Sequence, residues 1–139
     1  MIMLYLNRIV LFGILLTIFF SIDNVTNLEH EIIPFSFADH SAVSVSIPVG
    51  TSIPGCEETN ECYLPYQVTI PSGSSVSWIN DDSAAHTVTS GTVDAGLTGI
   101  FDSGLFMSGG TFEFTFDESG TYDYFCMVHP WMTGQVIVN

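Results

Sequence analysis

The chain has 139 residues, is 47 % hydrophobic and carries 15 acidic side chains against one basic one, for a formal net charge of −14. That length holds one domain and an appendage. The single base is Arg8, so past residue 22 no Lys or Arg can neutralise a phosphate. Nucleic-acid binding and Walker-type phosphate chemistry, which needs a Lys, are excluded. Past residue 22 there are 31 Val, Ile and Thr against four Leu and five Ala. Strands favour β-branched residues and helices favour Leu and Ala, so the composition predicts an all-β domain.

Residues 1–22 form an apolar targeting segment. Arg8 is followed by Ile9 to Ile22, fourteen residues without a charge. That is short for a membrane span and suits the apolar region of a signal peptide. No Ala-x-Ala site follows, and Phe19-Phe20-Ser21 is a poor substitute. The segment therefore reads as a signal peptide or as an uncleaved N-terminal membrane anchor. Either places the rest of the chain outside the cytoplasm. Asn24-Val25-Thr26 fits the glycosylation sequon, weak evidence in the same direction. Residues 23–41 show no clean period and contain Pro34, which predicts a linker. His30 and His40 are expected to be solvated linker residues rather than metal ligands.

From residue 42 to 139 the pattern is short strands. Ala42 to Pro48 alternates around Val43, Val45 and Ile47, and Tyr66 to Ile70 alternates again. Val76 to Ile79 and His86 to Thr89 come next, with His86 opening its strand. Phe112, Phe114 and Phe116 share one face, Tyr122, Tyr124 and Cys126 share a parity, and Gln135 to Val138 closes the chain. Period-2 runs of this length bounded by turn residues are strands. Seven or eight of them in about 100 residues predict a β-sandwich. Gly91 to Gly110 holds six glycines and is expected to be a long functional loop.

Three cysteines divide into two kinds. Cys56 and Cys62 bracket five residues in a turn-like segment. Outside the cytoplasm such a pair reads as a disulfide, worth about 2–3 kcal/mol for so short a loop. The rival reading is a second metal site using the neighbouring carboxylates, but no His is local. Cys126 is left over, and an odd thiol in an oxidising compartment needs something to hold it.

Cys126, His129 and Met132 form Cys-x2-His-x2-Met, and His86 lies forty residues upstream. A thiolate, two imidazoles and a thioether suit copper, in the arrangement of a blue-copper electron-transfer site. Thiolate and thioether favour Cu(I), whereas imidazoles support Cu(II). A site that suits neither ion fully needs little reorganisation when one electron moves. The candidate ligand set for one copper is therefore His86, Cys126, His129 and Met132.

The stretch from Gly120 to Val138 resembles the C-terminal signature of the cupredoxins, the type 1 blue copper proteins. Its compact ligand spacing is similar to the amicyanin and pseudoazurin groups more than to the plastocyanin group. The run Trp78-Ile79-Asn80-Asp81-Asp82-Ser83-Ala84-Ala85-His86-Thr87-Val88 resembles that family's first-ligand segment. Phe101-Asp102-Ser103-Gly104-Leu105, followed by Thr111 to Phe114, recurs in its plastocyanin-like and archaeal halocyanin-like groups. The resemblance covers residues 42–139. It implies a Greek-key β-sandwich with copper at one end and His129 at the surface. Met127, Pro130 and Trp131 would then form an apolar docking patch, with Leu105, Phe106 and Met107 as candidates to extend it; Trp131 could instead be core. One position departs from the pattern: many members place Asn directly after the first His, and this chain has Thr87.

The sequence thus predicts a one-electron carrier outside the cytoplasm, not an enzyme. Its partners would be redox proteins with a basic docking face, a cytochrome or an oxidase, given the acidic field of the domain. No oligomer is required. The alternatives are a small copper enzyme acting on a nitrogen oxide at an open copper position, and a copper-delivery protein. A multicopper oxidase is excluded, because four histidines cannot also build a trinuclear cluster.

Overall fold

The computed structural model describes residues 42–139. The targeting segment, the linker, His30, His40 and the Asn24 sequon lie outside the described residues. No helix among the described residues is long and apolar enough to cross a membrane. The strands run β1 (Val43–Ile47), β2 (Gln67–Ile70), β3 (Ser74–Asn80), β4 (Thr89–Thr92), β5 (Gly96–Asp102), β6 (Thr111–Phe116), β7 (Gly120–Phe125) and β8 (Thr133–Val138). They form two sheets, β1-β3-β6 and β2-β8-β7-β4-β5. The first pair in each sheet, β1 with β3 and β2 with β8, is parallel, and all other pairings are antiparallel. The all-β sandwich expected from the composition is what the chain forms.

Alternation decides which face each strand buries. Val45 and Ile47 of β1, Val76 and Trp78 of β3, Val68 and Ile70 of β2, and Val136 and Val138 of β8 all point into one core. Trp78 is its centre, fully buried, with Phe112 and Phe101 stacked at 5.6 and 5.9 Å and the Tyr124 ring edge-on at 5.4 Å. Such aromatic pairs add about 0.5–1.5 kcal/mol each beyond the area they bury. Gly134 makes room for this packing: a Cβ there would lie 2.3 Å from the Tyr124 ring. Along β6 only Phe116 is fully buried; Phe112 and Phe114 are half-buried.

Two expectations about elements are corrected. The ladder of β4 starts at Thr89, and His86 instead makes an isolated bridge with Phe106. The glycine-rich stretch Gly91–Gly110 is not one loop, since it holds the end of β4 and the whole of β5. The physical reason is that β5 is an edge strand with only Phe101 buried, so no apolar period marks it. Its ladder with β4 is interrupted by a register shift at Gly91. Gly91 sits at φ 127°, and a Cβ there would lie 2.2 Å from the Gly96 carbonyl oxygen. Only glycine fits that approach.

Candidate metal centre

Cys126 follows the last residue of β7 and Met132 precedes the first residue of β8. These strands are antiparallel neighbours with Phe125 opposite Thr133, so the loop between them is short and both of its ends are fixed. Inside it the Cys126 N–H donates to the Met132 carbonyl at 3.1 Å, and the Met132 N–H to the His129 carbonyl at 2.9 Å. The compact spacing thus makes its own frame. Cys126 and Met132 are buried completely, while His129 is half-buried.

His86 reaches the same place from the segment between β3 and β4, and is itself fully buried. Its backbone exchanges two hydrogen bonds with Phe106, at 3.0 and 3.2 Å. The turn leading to it is built on the Asn80 side chain, whose Nδ2 donates to the carbonyls of Ala84 and Phe106 and whose Oδ1 accepts the Asp82 N–H. His86 Nε2 faces the Asp82 carboxylate at 3.0 Å. Burial alone would raise the Asp82 pKa. The backbone N–H groups of Gly50, Ser83 and Ser52, with His86, outweigh it and hold this carboxyl well below the usual carboxylate range.

With Nε2 engaged, His86 turns Nδ1 toward the ligand loop. Nδ1 of His86 and Nδ1 of His129 lie 3.2 Å apart, and Cys126 Sγ lies 3.9 and 3.6 Å from them. A metal held in one plane by two nitrogens at about 2.0 Å and a sulfur at about 2.3 Å requires separations of roughly 3.5 Å between nitrogens and 3.7 Å from nitrogen to sulfur. The donor triangle matches that of a single trigonal ion, and its soft thiolate beside two imidazoles is a copper donor set. Met132, fully buried, ends the same loop, its carbonyl accepting the Cys126 N–H. The four residues are arranged for one copper.

The thiol is prepared as a thiolate. Burial opposes ionisation of Cys126, but the neighbouring His86 imidazole, the Thr87 N–H donating at 3.3 Å, the Val128 N–H and the His129 imidazole bring its pKa down to about 6. His86 shows the converse: burial would lower its pKa, yet Cys126 and Asp82 raise it. Thr87 fills the role of an Asn at that position with a smaller group. Its Oγ1 accepts the Met127 N–H at 2.8 Å, which ties the His86 segment to the ligand loop. Its own proton is free for the Thr89 hydroxyl oxygen at 3.1 Å, whose proton goes to Asp102. The Thr87 carbonyl takes the hydroxyl of buried Tyr63 at 2.7 Å.

Several apolar residues of the ligand loop (Met127, Val128 and Pro130) and of the segment after β5 (Leu105 and Met107) are exposed. Trp131 is neither free surface nor core: it is half-buried, its ring centroid 5.3 Å from that of His129 and its indole N–H bonded to the Thr51 carbonyl at 3.1 Å. Cys56 and Cys62 are joined as a disulfide, so their sulfurs are not metal ligands. Sequence reasoning does not single out Asn80, Asp82, Tyr63 or Thr51 as site residues. Asn80 and Asp82 stand in the first-ligand segment; Tyr63 and Thr51 carry no local signal at all.

Residues 55–139 match the family of copper-binding proteins described as plastocyanin/azurin. Amicyanin from Paracoccus versutus is 33 % identical over 104 residues, which span 73 % of this chain and 75 % of that protein. Plastocyanin from Sambucus nigra is 31 % identical over 94 residues, 61 % of this chain and 95 % of the relative. Among solved structures, a purple cupredoxin from Nitrosopumilus maritimus superposes with a TM-score of 0.64 at 35 % identity, covering 70 % of this chain and 99 % of that one.

Proposed function

This chain belongs to the plastocyanin/azurin family of copper-binding proteins, and from that premise we propose that it is a blue copper protein carrying single electrons between redox partners outside the cytoplasm. Bound copper supplies the couple between Cu(I) and Cu(II). His86, Cys126, His129 and Met132 hold it. The observation that carries this reading is the preformed donor triangle, held by hydrogen bonds that do not involve the metal. A frame that does not rearrange keeps the reorganisation cost of electron transfer low.

The half-buried His129 ring is the ligand nearest solvent, and electrons pass through it. Met127, Pro130 and Trp131 around it form a patch suited to brief, low-specificity contact. The acidic domain draws partners whose docking face is basic, such as a cytochrome or an oxidase. The Cys56–Cys62 disulfide supports an oxidising compartment, to which the apolar segment 1–22 directs the domain, cleaved or as a tether. Copper-loaded, oxidised protein is expected to show one copper per chain and an intense thiolate-to-copper charge-transfer band that a one-electron reductant bleaches reversibly. Azide or nitrite should leave that band unchanged. A band that shifts with either anion identifies an open copper position and defeats the carrier reading.

A further inference from the structure

The chain between β1 and β2 makes a long excursion, and it is tied to the metal centre at three points. The N–H groups of Gly50 and Ser52 donate to the two Asp82 carboxylate oxygens at 2.9 and 3.2 Å. The Thr51 carbonyl accepts the Trp131 indole N–H at 3.1 Å. The Tyr63 hydroxyl donates to the Thr87 carbonyl at 2.7 Å. Between the second and third anchors lies the Cys56–Cys62 disulfide. One segment therefore touches both routes to the metal: the route through His86 at Asp82 and Thr87, and the ligand loop at Trp131.

We propose that Asp82 is the positioning residue of His86, and that the disulfide-closed segment from Gly50 to Tyr63 is a brace that holds both ligand segments and so sets the redox balance of the copper. The inference rests on the reading of His86 as a copper ligand.

Asp82 is fully enclosed, and burying a carboxylate costs several kcal/mol unless donors replace water. Four donors do so. Oδ1 accepts the N–H groups of Gly50 and Ser83; Oδ2 accepts that of Ser52 and faces His86 Nε2. An acceptor-only group with three backbone donors already on it forces the imidazole to be the fourth donor. The proton then sits on Nε2, and Nδ1 keeps a lone pair for the metal. No neutral side chain of the same shape replaces this. An amide in either orientation would turn its NH2 onto two of the four donors. The negative charge behind His86 also favours the higher charge on copper, Cu(II) over Cu(I).

Three measurements test this. In metal-free wild-type protein at alkaline pH, nitrogen NMR should show His86 protonated on Nε2, with that proton protected from exchange. A proton on Nδ1 overturns the proposal, and this result needs no variant to fold. In Asp82→Asn, Cu(II) affinity should fall about 10–100-fold, as for other groups that orient a ligand. Cu(I) affinity should fall less, and each tenfold difference raises the potential by about 59 mV. A folded Asp82→Asn protein with the wild-type potential removes Asp82 from its assigned role. In the Cys56→Ser, Cys62→Ser double variant the potential should move in the same direction by less, and the Trp131 indole proton should exchange faster. If neither changes, the brace is refuted. A wild-type protein that binds copper without the intense band defeats the carrier reading instead, while the His86 tautomer still reports on Asp82.

Discussion

The metal centre draws on two regions built in opposite ways. The Cys126–Met132 loop is a short link between paired strands, closed by its own backbone hydrogen bonds and edged by solvent. The His86 segment buries Asp82, His86 and Thr87, and its local bonds all run through the Asn80 and Asp82 side chains, which are themselves held from elsewhere in the fold. Its conformation is set by Asn80, by Tyr63 and by the turn at Gly50 to Ser52, residues far apart in the sequence. The loop supplies the ligand chemistry, and the remote contacts of the other region supply its rigidity. The largest effect should follow from breaking the loop side. Cys126→Ser removes the one thiolate that the disulfide leaves available, so the intense charge-transfer band should vanish entirely. Absorbance of wild-type intensity in that variant would sink the ligand assignment.

The meeting point of the two regions is the thiolate, and pH probes it in the metal-free domain. The Cys126 pKa falls from 9.0 to about 6, mainly against burial and through His86 and Thr87 of the other region. A depressed pKa means that the unfolded chain binds the proton more tightly. The stabilisation from Cys126 is therefore complete above 9 and is lost as pH falls through about 6. His86 acts in the opposite sense. Its raised pKa gives stabilisation that is complete below 6.5 and fades as pH rises past the raised value. Ultraviolet absorbance of the metal-free domain should report a thiolate with a midpoint near 6. A midpoint near 9 would show that the two regions do not meet as described.

Asn80 tests the buried region on its own. Its side chain satisfies two carbonyls and one N–H, all part-buried or buried. Asn80→Leu leaves the Ala84 carbonyl and the Asp82 N–H without partners, while the Phe106 carbonyl keeps the His86 N–H; at about 1–3 kcal/mol for each one that water cannot reach, a total loss of about 2–3 kcal/mol is expected. Urea melts of the copper-free domain measure it, and a loss below about 1 kcal/mol would show that the turn holds without Asn80.

This asymmetry also explains what was legible in the sequence. Cys126, His129 and Met132 could be read because three ligand types fall within seven residues, and His86 because the segment around it has a recognisable pattern. The strands with one buried face, β1, β2, β3 and β8, showed themselves by alternation. Edge strand β5 did not, since its first five residues face solvent and its glycines look like loop. The partners of His86 were hidden for another reason. Asp82 is one acid among fifteen, and nothing local distinguishes the one that folding buries beneath the N–H groups of Gly50 and Ser52. Likewise Thr51 is linked to Trp131 across 80 residues, a distance over which no periodicity speaks.

Besides the ligands themselves, Thr87 joins the two regions directly through its side chain, and it sharpens the comparison. Thr87→Val keeps the shape and removes the oxygen that accepts the Met127 N–H. A buried donor left unpaired costs about 1–3 kcal/mol. The band should persist, because all four ligands remain, but copper should dissociate faster and the melting temperature should fall. Thr87→Asn restores an acceptor and should recover most of the loss. Equal behaviour of the Val and Asn variants would mean that the hydroxyl is not the tie.

The smallest effects belong to the solvent-facing edge of the loop, where contacts are made with partners rather than within the fold. Electrostatics from the acidic domain should set the encounter rate, and the apolar ring around His129 the final geometry. Met127 separates the two better than Trp131, whose indole also anchors to Thr51; Met127 is exposed and its side chain is free of that tie. Raising salt from ~10 to ~500 mM shortens the Debye length from ~30 Å to a few Å, so association with a basic cytochrome should slow about tenfold or more. Met127→Glu should slow transfer a few-fold by spoiling the apolar contact, yet keep nearly the same salt slope, since it adds one charge to fifteen. Stopped-flow rates that stay flat across that salt range would mean that the acids keep the domain soluble and steer nothing. A Met127→Glu protein with unaltered rates at every salt concentration would move the docking surface away from His129.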